Sequence, residues 1–334
     1  MLIEIGTPAS LPLGLVKINN NNGAKSCLLA LTVQHPPIEL LAEQHPSQLK
    51  IVGARAHIGS QHARAFLRFH KLRQRAQVEI ERSIPAFVGL GADTMLGLTM
   101  AKALSWLNNL PLDTLAFANA LGLPPQHAAE VWGFDRGGLL LVETDAPEGH
   151  FPQIVRRQEI EHNKKEAWAF VFVFPRVPKG TPDRYEADQL TTLLQAAPYL
   201  ADESGHLVMQ ELWPAVQNDD IAAFGQNLMA LQKMTQAAQV CAGTFKGFTP
   251  QEYSILYHMR DNGAFAWGRS LTGVALYSLV RGAKASIELR KTLRKHIGHF
   301  GGMVIATITD NRGASYAIKN KDLANKPLNP YRLK

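Results

Sequence analysis

The sequence predicts an α+β fold of two halves, each pairing a sheet with helices. Three observations lead there. The 334 residues are 46% hydrophobic and 19% charged, which suits one large core or two ordinary ones without disulfide staples. Strand-like and helix-like stretches follow one another irregularly, without the β-α-β period of a doubly wound sheet. Each half also carries a glycine-rich turn, at 84–104 and at 261–280.

Taken in order, residues 2–5 and 26–33 read as strands, split by the asparagine-rich turn at 19–23, and 49–57 reads as a third. Residues 61–74 form an amphipathic helix with Phe66, Leu67 and His70 near one face. Residues 77–83 alternate as a half-buried strand and lead into the first glycine turn. A helix then runs from about Asp93 to Leu107, and a second reaches Leu121. The apolar runs 137–143 and 167–174 are strand candidates. The polar stretch between them, with HNKKE at 162–166, marks a domain boundary. Helices are expected at 184–198, 206–217, 219–240, 250–260 and 284–296, and a strand at 303–309. The segment 325–334 holds two prolines and reads as a surface tail.

The formal net charge of +7 points toward anionic partners. Its dense clusters, RAFLRFHKLRQR at 64–75 and KTLRKH at 291–296, read as solvated helix faces. They lack the interleaved aromatics of a single-strand binder, so no nucleic acid is expected. Cys27 and Cys241 are too few for a disulfide framework or a cysteine zinc site. His57 with His62 and His296 with His299 have poor settings for a metal pair. No basic leader or membrane-length apolar run is read, and a cytoplasmic location is expected.

The chemistry is expected at the glycine turns. In IPAFVGLGADTMLGLTMAKAL, Gly89, Leu90, Gly91, Ala92, Asp93 and Thr94 open a helix. Its unpaired N–H groups and positive dipole end suit phosphate oxygens. The turn is neither a Walker loop nor a dinucleotide fingerprint, because GxxxxGK[ST] is absent and Gly97 lies too far into the helix. Asp93 either caps the helix or meets phosphate through Mg²⁺. In the second turn, GAFAWGRSLTG, Gly268, Arg269, Ser270 and Gly273 could hold a second anion, with Arg269 as the cation and Trp267 as a stacking surface.

These residues resemble the GHMP kinase superfamily, and within it the beta-ribofuranosylaminobenzene 5'-phosphate synthase branch. Gly89-Leu90-Gly91 after Pro85–Val88 stands in a P-x-x-x-G-L-G-S-S-type loop. Five further stretches match the branch in order: TPASLPLGLV at 7–16, FDRGGLLLVE at 134–143, VFPRVPKGTPDRYEADQL at 173–190, DNGAFAWGRSLTGVALYSLV at 261–280 and GGMVIATITDNRGASY at 301–316. The resemblance implies an N-terminal ribosomal-S5-like domain over 1–160, a C-terminal ferredoxin-like domain over 161–324 and a homodimer. It implies transfer of phosphoribosyl from phosphoribosyl diphosphate to 4-aminobenzoate or 4-hydroxybenzoate, with loss of carbon dioxide and diphosphate, in tetrahydromethanopterin biosynthesis. The partners would then be a phosphorylated small molecule and an aryl acid, with Mg²⁺ as a possible cofactor held by Asp93. The chain departs from the pattern at Ser10–Pro12, at Ala92-Asp93, at LPPQHAAEVWG (123–133) and at Arg269. Those departures leave two alternatives open, an ATP-dependent small-molecule kinase and a non-catalytic relative.

Overall fold

The computed structural model describes residues 1–20, 23–161, 166–177, 180–182, 185–299 and 301–319. The tail expected at 325–334 lies outside the described residues.

Two long strands dominate the first half. β1 (Leu2–Asn20) and β2 (Gly23–Gln44) pair antiparallel over nearly their whole length. They far exceed the short strands expected at 2–5 and 26–33. The ladder survives Pro12 because its register shifts beside that residue, and a bulge is where a strand tolerates a missing N–H. Next come β3 (Leu49–Gly53), α1 (Ala56–Phe69), β4 (Ala76–Arg82), α2 (Ala92–Leu107), α3 (Thr114–Leu121), α4 (Ala128–Arg136), β5 (Leu139–Glu143) and β6 (Ile154–Gln158). The helix expected at 61–74 thus starts earlier, and the strand expected at 49–57 stops at Gly53. There the chain turns through left-handed Gly53 and Arg55.

The second half holds β7 (Trp168–Phe174), α5 (Tyr185–Leu194), α6 (Glu203–His206), a π-helical stretch (Leu207–Leu212) and α7 (Trp213–Gln217). These precede α8 (Ile221–Cys241), α9 (Pro250–Asp261), β8 (Ala266–Arg269), β9 (Leu276–Arg281), α10 (Gly282–His296), β10 (Met303–Ile308) and β11 (Ser315–Lys319). One seven-stranded sheet runs β11-β1-β2-β4-β3, with β5 on β2 and β6 on β5. A four-stranded sheet runs β10-β7-β9-β8. Among the described residues only β3 and β4 pair parallel, which is why the sequence shows no β-α-β period. β11 returns the end of the chain to the first sheet, beside β1.

Strand β7 is buried on both faces and splits its side chains between two cores. Trp168, Phe170 and Phe172 join the main core with Trp213 and Phe224. Ala169, Val171 and Val173 join a second core with Leu256, Met259 and Leu293. Helix α2 is almost wholly buried in the main core, so its N-terminus is held rigidly at the first glycine turn. Among the described residues no helix is long and apolar enough to cross a membrane.

Candidate functional site

The loop before α2 turns through three left-handed residues, Phe87 (φ 70°), Gly89 (φ 77°) and Gly91 (φ 72°). Phe87 pays a steric cost that glycine escapes. Gly91 is the N-cap of α2, and no side chain caps the helix. Asp93 therefore lies inside the first turn, and the capping role open to it in the sequence is not the one it takes. Its carboxylate pairs with Arg55, which lies just before α1.

The second glycine turn docks directly onto the first. The N–H groups of Val274 and Ala275 donate to the carbonyls of Phe87 and Val88 at 3.0 and 3.1 Å. The Ser270 hydroxyl donates to the Gly89 carbonyl at 2.5 Å. A Cβ on Gly89 would fall 2.3 Å from the Gly273 nitrogen, so both glycines are required by backbone contact. Gly268 likewise leaves room for the Gln232 side-chain amide, which a Cβ would approach to 2.4 Å. Arg269 pairs with Glu252 at 3.1 Å and lies over the rings of Phe248 and Phe245 at 5.3 and 5.8 Å. Arg269, Phe245 and Phe248 line a small cleft with Gln236, Gln239 and Ser270.

Three acidic groups meet at the loop. Glu186, from the first turn of α5, accepts from the Gly89 N–H at 2.9 Å through Oε1 and from the Ala92 N–H at 3.1 Å through Oε2. Its neighbour Tyr185 sets its ring edge-on to Phe87 at 6.0 Å. Glu130, from α4, is 6% exposed, and its Oε2 has no hydrogen-bond partner. A Cβ on Gly91 would lie 2.9 Å from Glu130 Cγ, so the missing side chain gives this acid its place. Burial pushes Glu130 up to about 7, and nearby Glu186 adds to the rise. Burial also pushes Glu186 up to about 7. Asp93 adds to that rise, while the Gly89 and Ala92 N–H groups and Arg55 oppose it. His127 bonds the Thr94 hydroxyl at 2.9 Å, and burial lowers it to about 4.

The structure thus brings residues 89–94 together with Ser270 and Gly273. It turns Arg269 toward Glu252 and two phenylalanines. Sequence reasoning missed Glu186, Glu130, His127 and Arg55. Glu186 lay within the matched stretch at 173–190, and His127 and Glu130 lay within the departure at 123–133. Their spacing from the loop, 97 residues for Glu186, gave no local signal.

No family model matches the chain. Solved structures match it along almost its full length. Mevalonate kinase of L. major in complex with R-mevalonate has a TM-score of 0.65 at 15% identity, over 92% of this chain and 96% of that one. MDDEF in complex with MVAPP, AMPPCP and magnesium has a TM-score of 0.65 at 14% identity, over 96% and 99%. The fold is therefore the α+β GHMP-kinase-like fold with two sheets, as the motifs implied.

The beta-ribofuranosylphenol 5'-phosphate synthase of Archaeoglobus fulgidus is 23% identical over 326 residues, 95% of this chain and all of that protein. That of Methanothermobacter thermautotrophicus is also 23% identical, over 94% and 99%. The chain is a distant, full-length homologue of these synthases, which bears out the resemblance drawn from the motifs.

Proposed function

We propose that the chain transfers phosphoribosyl from phosphoribosyl diphosphate to an aryl acid, 4-hydroxybenzoate or 4-aminobenzoate, releasing carbon dioxide and diphosphate on the way to tetrahydromethanopterin. One observation carries the reading. The loop before α2 already holds an anion, with both carboxylate oxygens of Glu186 on loop N–H groups. Two amides at a helix N-terminus that grip a carboxylate suit phosphate oxygens equally well. The full-length kinship with synthases of a ribofuranosyl 5'-phosphate product supports the choice of ligand.

In this reading residues 89–94 hold the diphosphate and stabilise the charge it gains as it leaves. The bond from the ribose anomeric carbon to diphosphate breaks with its electron pair. The ring carbon bearing the carboxylate bonds to that anomeric carbon. The carboxylate then leaves as carbon dioxide, and its bonding pair restores the aromatic ring. Arg269 supplies a cation for the aryl carboxylate, and Phe245 and Phe248 offer faces for its ring. Ser270 links the two parts, because it lines the cleft and bonds the Gly89 carbonyl.

Magnesium fits this donor set. Glu130 has a buried carboxylate oxygen without a hydrogen bond, 4.0 Å from His127 Nδ1, Asp93 is 35% exposed, and Mg²⁺ takes one or two carboxylates together with substrate phosphates. Asp93 and Glu130 would hold it, and it would supply charge neutralisation at the diphosphate. The acting unit in this reading is a homodimer.

Thermal shift with phosphoribosyl diphosphate and with ATP, each with and without Mg²⁺, tests the reading on wild type and Asp93→Ala. A ligand at a hundred times its dissociation constant stabilises by about 2.7 kcal/mol. Magnesium-dependent stabilisation by phosphoribosyl diphosphate, lost in Asp93→Ala, is expected. Stabilisation by ATP alone points to a kinase, and no shift with either ligand points to a non-catalytic relative.

A further inference from the structure

Two amides that a phosphate would use at the start of α2 are engaged within the chain. Glu186 takes the Gly89 and Ala92 N–H groups, one on each oxygen. A carboxylate held in this way imitates two oxygens of a phosphate. Tyr185 closes on Phe87 beside it, so two successive residues of α5 cover the loop.

The placement is electrostatically poor for a resident carboxylate. Asp93 on α2 and Glu130 on α4 face Glu186, and Arg55, already paired with Asp93, is the cation that opposes them. The rest of α5 is anchored elsewhere. Leu190 and Leu193 are buried in an apolar cluster with Leu15, Leu28 and Ala129, and Thr191 accepts from Gln126. Tyr185 and Glu186, by contrast, are only partly buried.

We propose that Glu186 is a built-in occupant of the phosphate cradle, and that a phosphate ligand binds by displacing it and lifting the first turn of α5 off the loop. The proposal rests on the reading of this loop as a phosphate site. A ligand then sees only the fraction of molecules whose cradle is vacant, which lowers its apparent affinity by that fraction. Diphosphates, with more charge and more oxygens than a carboxylate, compete well. Monocarboxylates do not. The device therefore screens ligands by charge as well as by shape.

The test titrates inorganic diphosphate into wild type, Glu186→Ala, Glu186→Gln and Glu288→Gln by calorimetry, and follows amide exchange of residues 185–189 in wild type. Vacating the cradle should tighten diphosphate binding about tenfold in Glu186→Ala. Glu186→Gln keeps the side-chain volume and should tighten binding in the same direction, which covers the case of a poorly folded alanine variant. Glu288→Gln removes an exposed acid of α10 and leaves the cradle filled, and should change affinity less than about threefold. Diphosphate should speed exchange at 185–189 in wild type. Equal affinities in wild type and both Glu186 variants, or slower exchange at 185–189, would overturn the displacement and leave the loop as a phosphate site. If no protein binds diphosphate, the loop is not a phosphate site and both readings fall.

Discussion

Replacing Glu130 with glutamine should flatten the dependence of stability on pH. Glu130 is 6% exposed, and its folded-state value lies near 7 against an ordinary 4.5. That difference corresponds to about 3 kcal/mol between its two ionisation states. The sign follows from proton binding. The folded protein holds this proton more tightly than the unfolded chain, so Glu130 costs nothing below about pH 4.5. Its cost grows as the pH rises through about 7. Most of it, about 2 kcal/mol, accrues between about pH 5 and pH 8. His127 works oppositely, because a histidine buried neutral loses stability as the pH falls from 6.5 toward 4. That contribution is present in both proteins, although the variant also replaces the Glu130 oxygen 4.0 Å from His127 Nδ1. Urea unfolding of wild type and Glu130→Gln at about pH 5 and pH 8 measures the effect. Wild type should lose about 2 kcal/mol more than the variant across this range. Parallel losses would refute the assignment of Glu130 as a buried, proton-holding acid. Any fixed cost of burying the new amide is the same at both pH values and does not obscure the comparison.

Three further outcomes follow from the same contacts. Asp93→Ala leaves Arg55, whose side chain is 13% exposed, without its partner, and should lower stability by about 1–3 kcal/mol in urea titration; unchanged stability would show that the pair is not held. Gly89→Ala forces a Cβ to 2.3 Å from the Gly273 nitrogen at a left-handed φ, and should cost more than about 2 kcal/mol; a cost below about 1 kcal/mol would mean that the two turns are not packed as described. Arg269→Ala removes a half-exposed pair with Glu252 and two ring contacts, and should cost about 1 kcal/mol; an unchanged urea midpoint would mean that the guanidinium is not fixed over Phe245 and Phe248.

Much of the frame was legible because its signals are local. The alternation of residues 77–83, the length of the helix after Asp93 and the apolar run at 167–174 each specify an element within a few neighbours. The long strands were misjudged because Pro12 and the small residues around it weaken the strand pattern, while pairing with β2 overrides that weakness. Gly89 and Gly91 pointed to a turn that can bind anions. That Gly89 also packs against Gly273, 184 positions away, belongs to the tertiary structure, although both turns could be named separately. Glu186 was hidden for a physical reason. An acidic residue in the first turn of a helix is ordinarily explained by the dipole of its own helix, yet this one serves the start of α2. Glu130 and His127 stood in a stretch that departs from the family pattern, and only the fold turns them toward the loop.

The proposed reaction is transfer of phosphoribosyl with loss of the aryl carboxylate. Its most direct test incubates the protein with Mg²⁺, phosphoribosyl diphosphate and 4-hydroxybenzoate or 4-aminobenzoate carrying labelled carboxyl carbon, and counts labelled carbon dioxide against diphosphate. Equal release of both, dependent on protein and on the aryl acid, is expected. Diphosphate without carbon dioxide, or no release of either beside consumption of ATP, would contradict it.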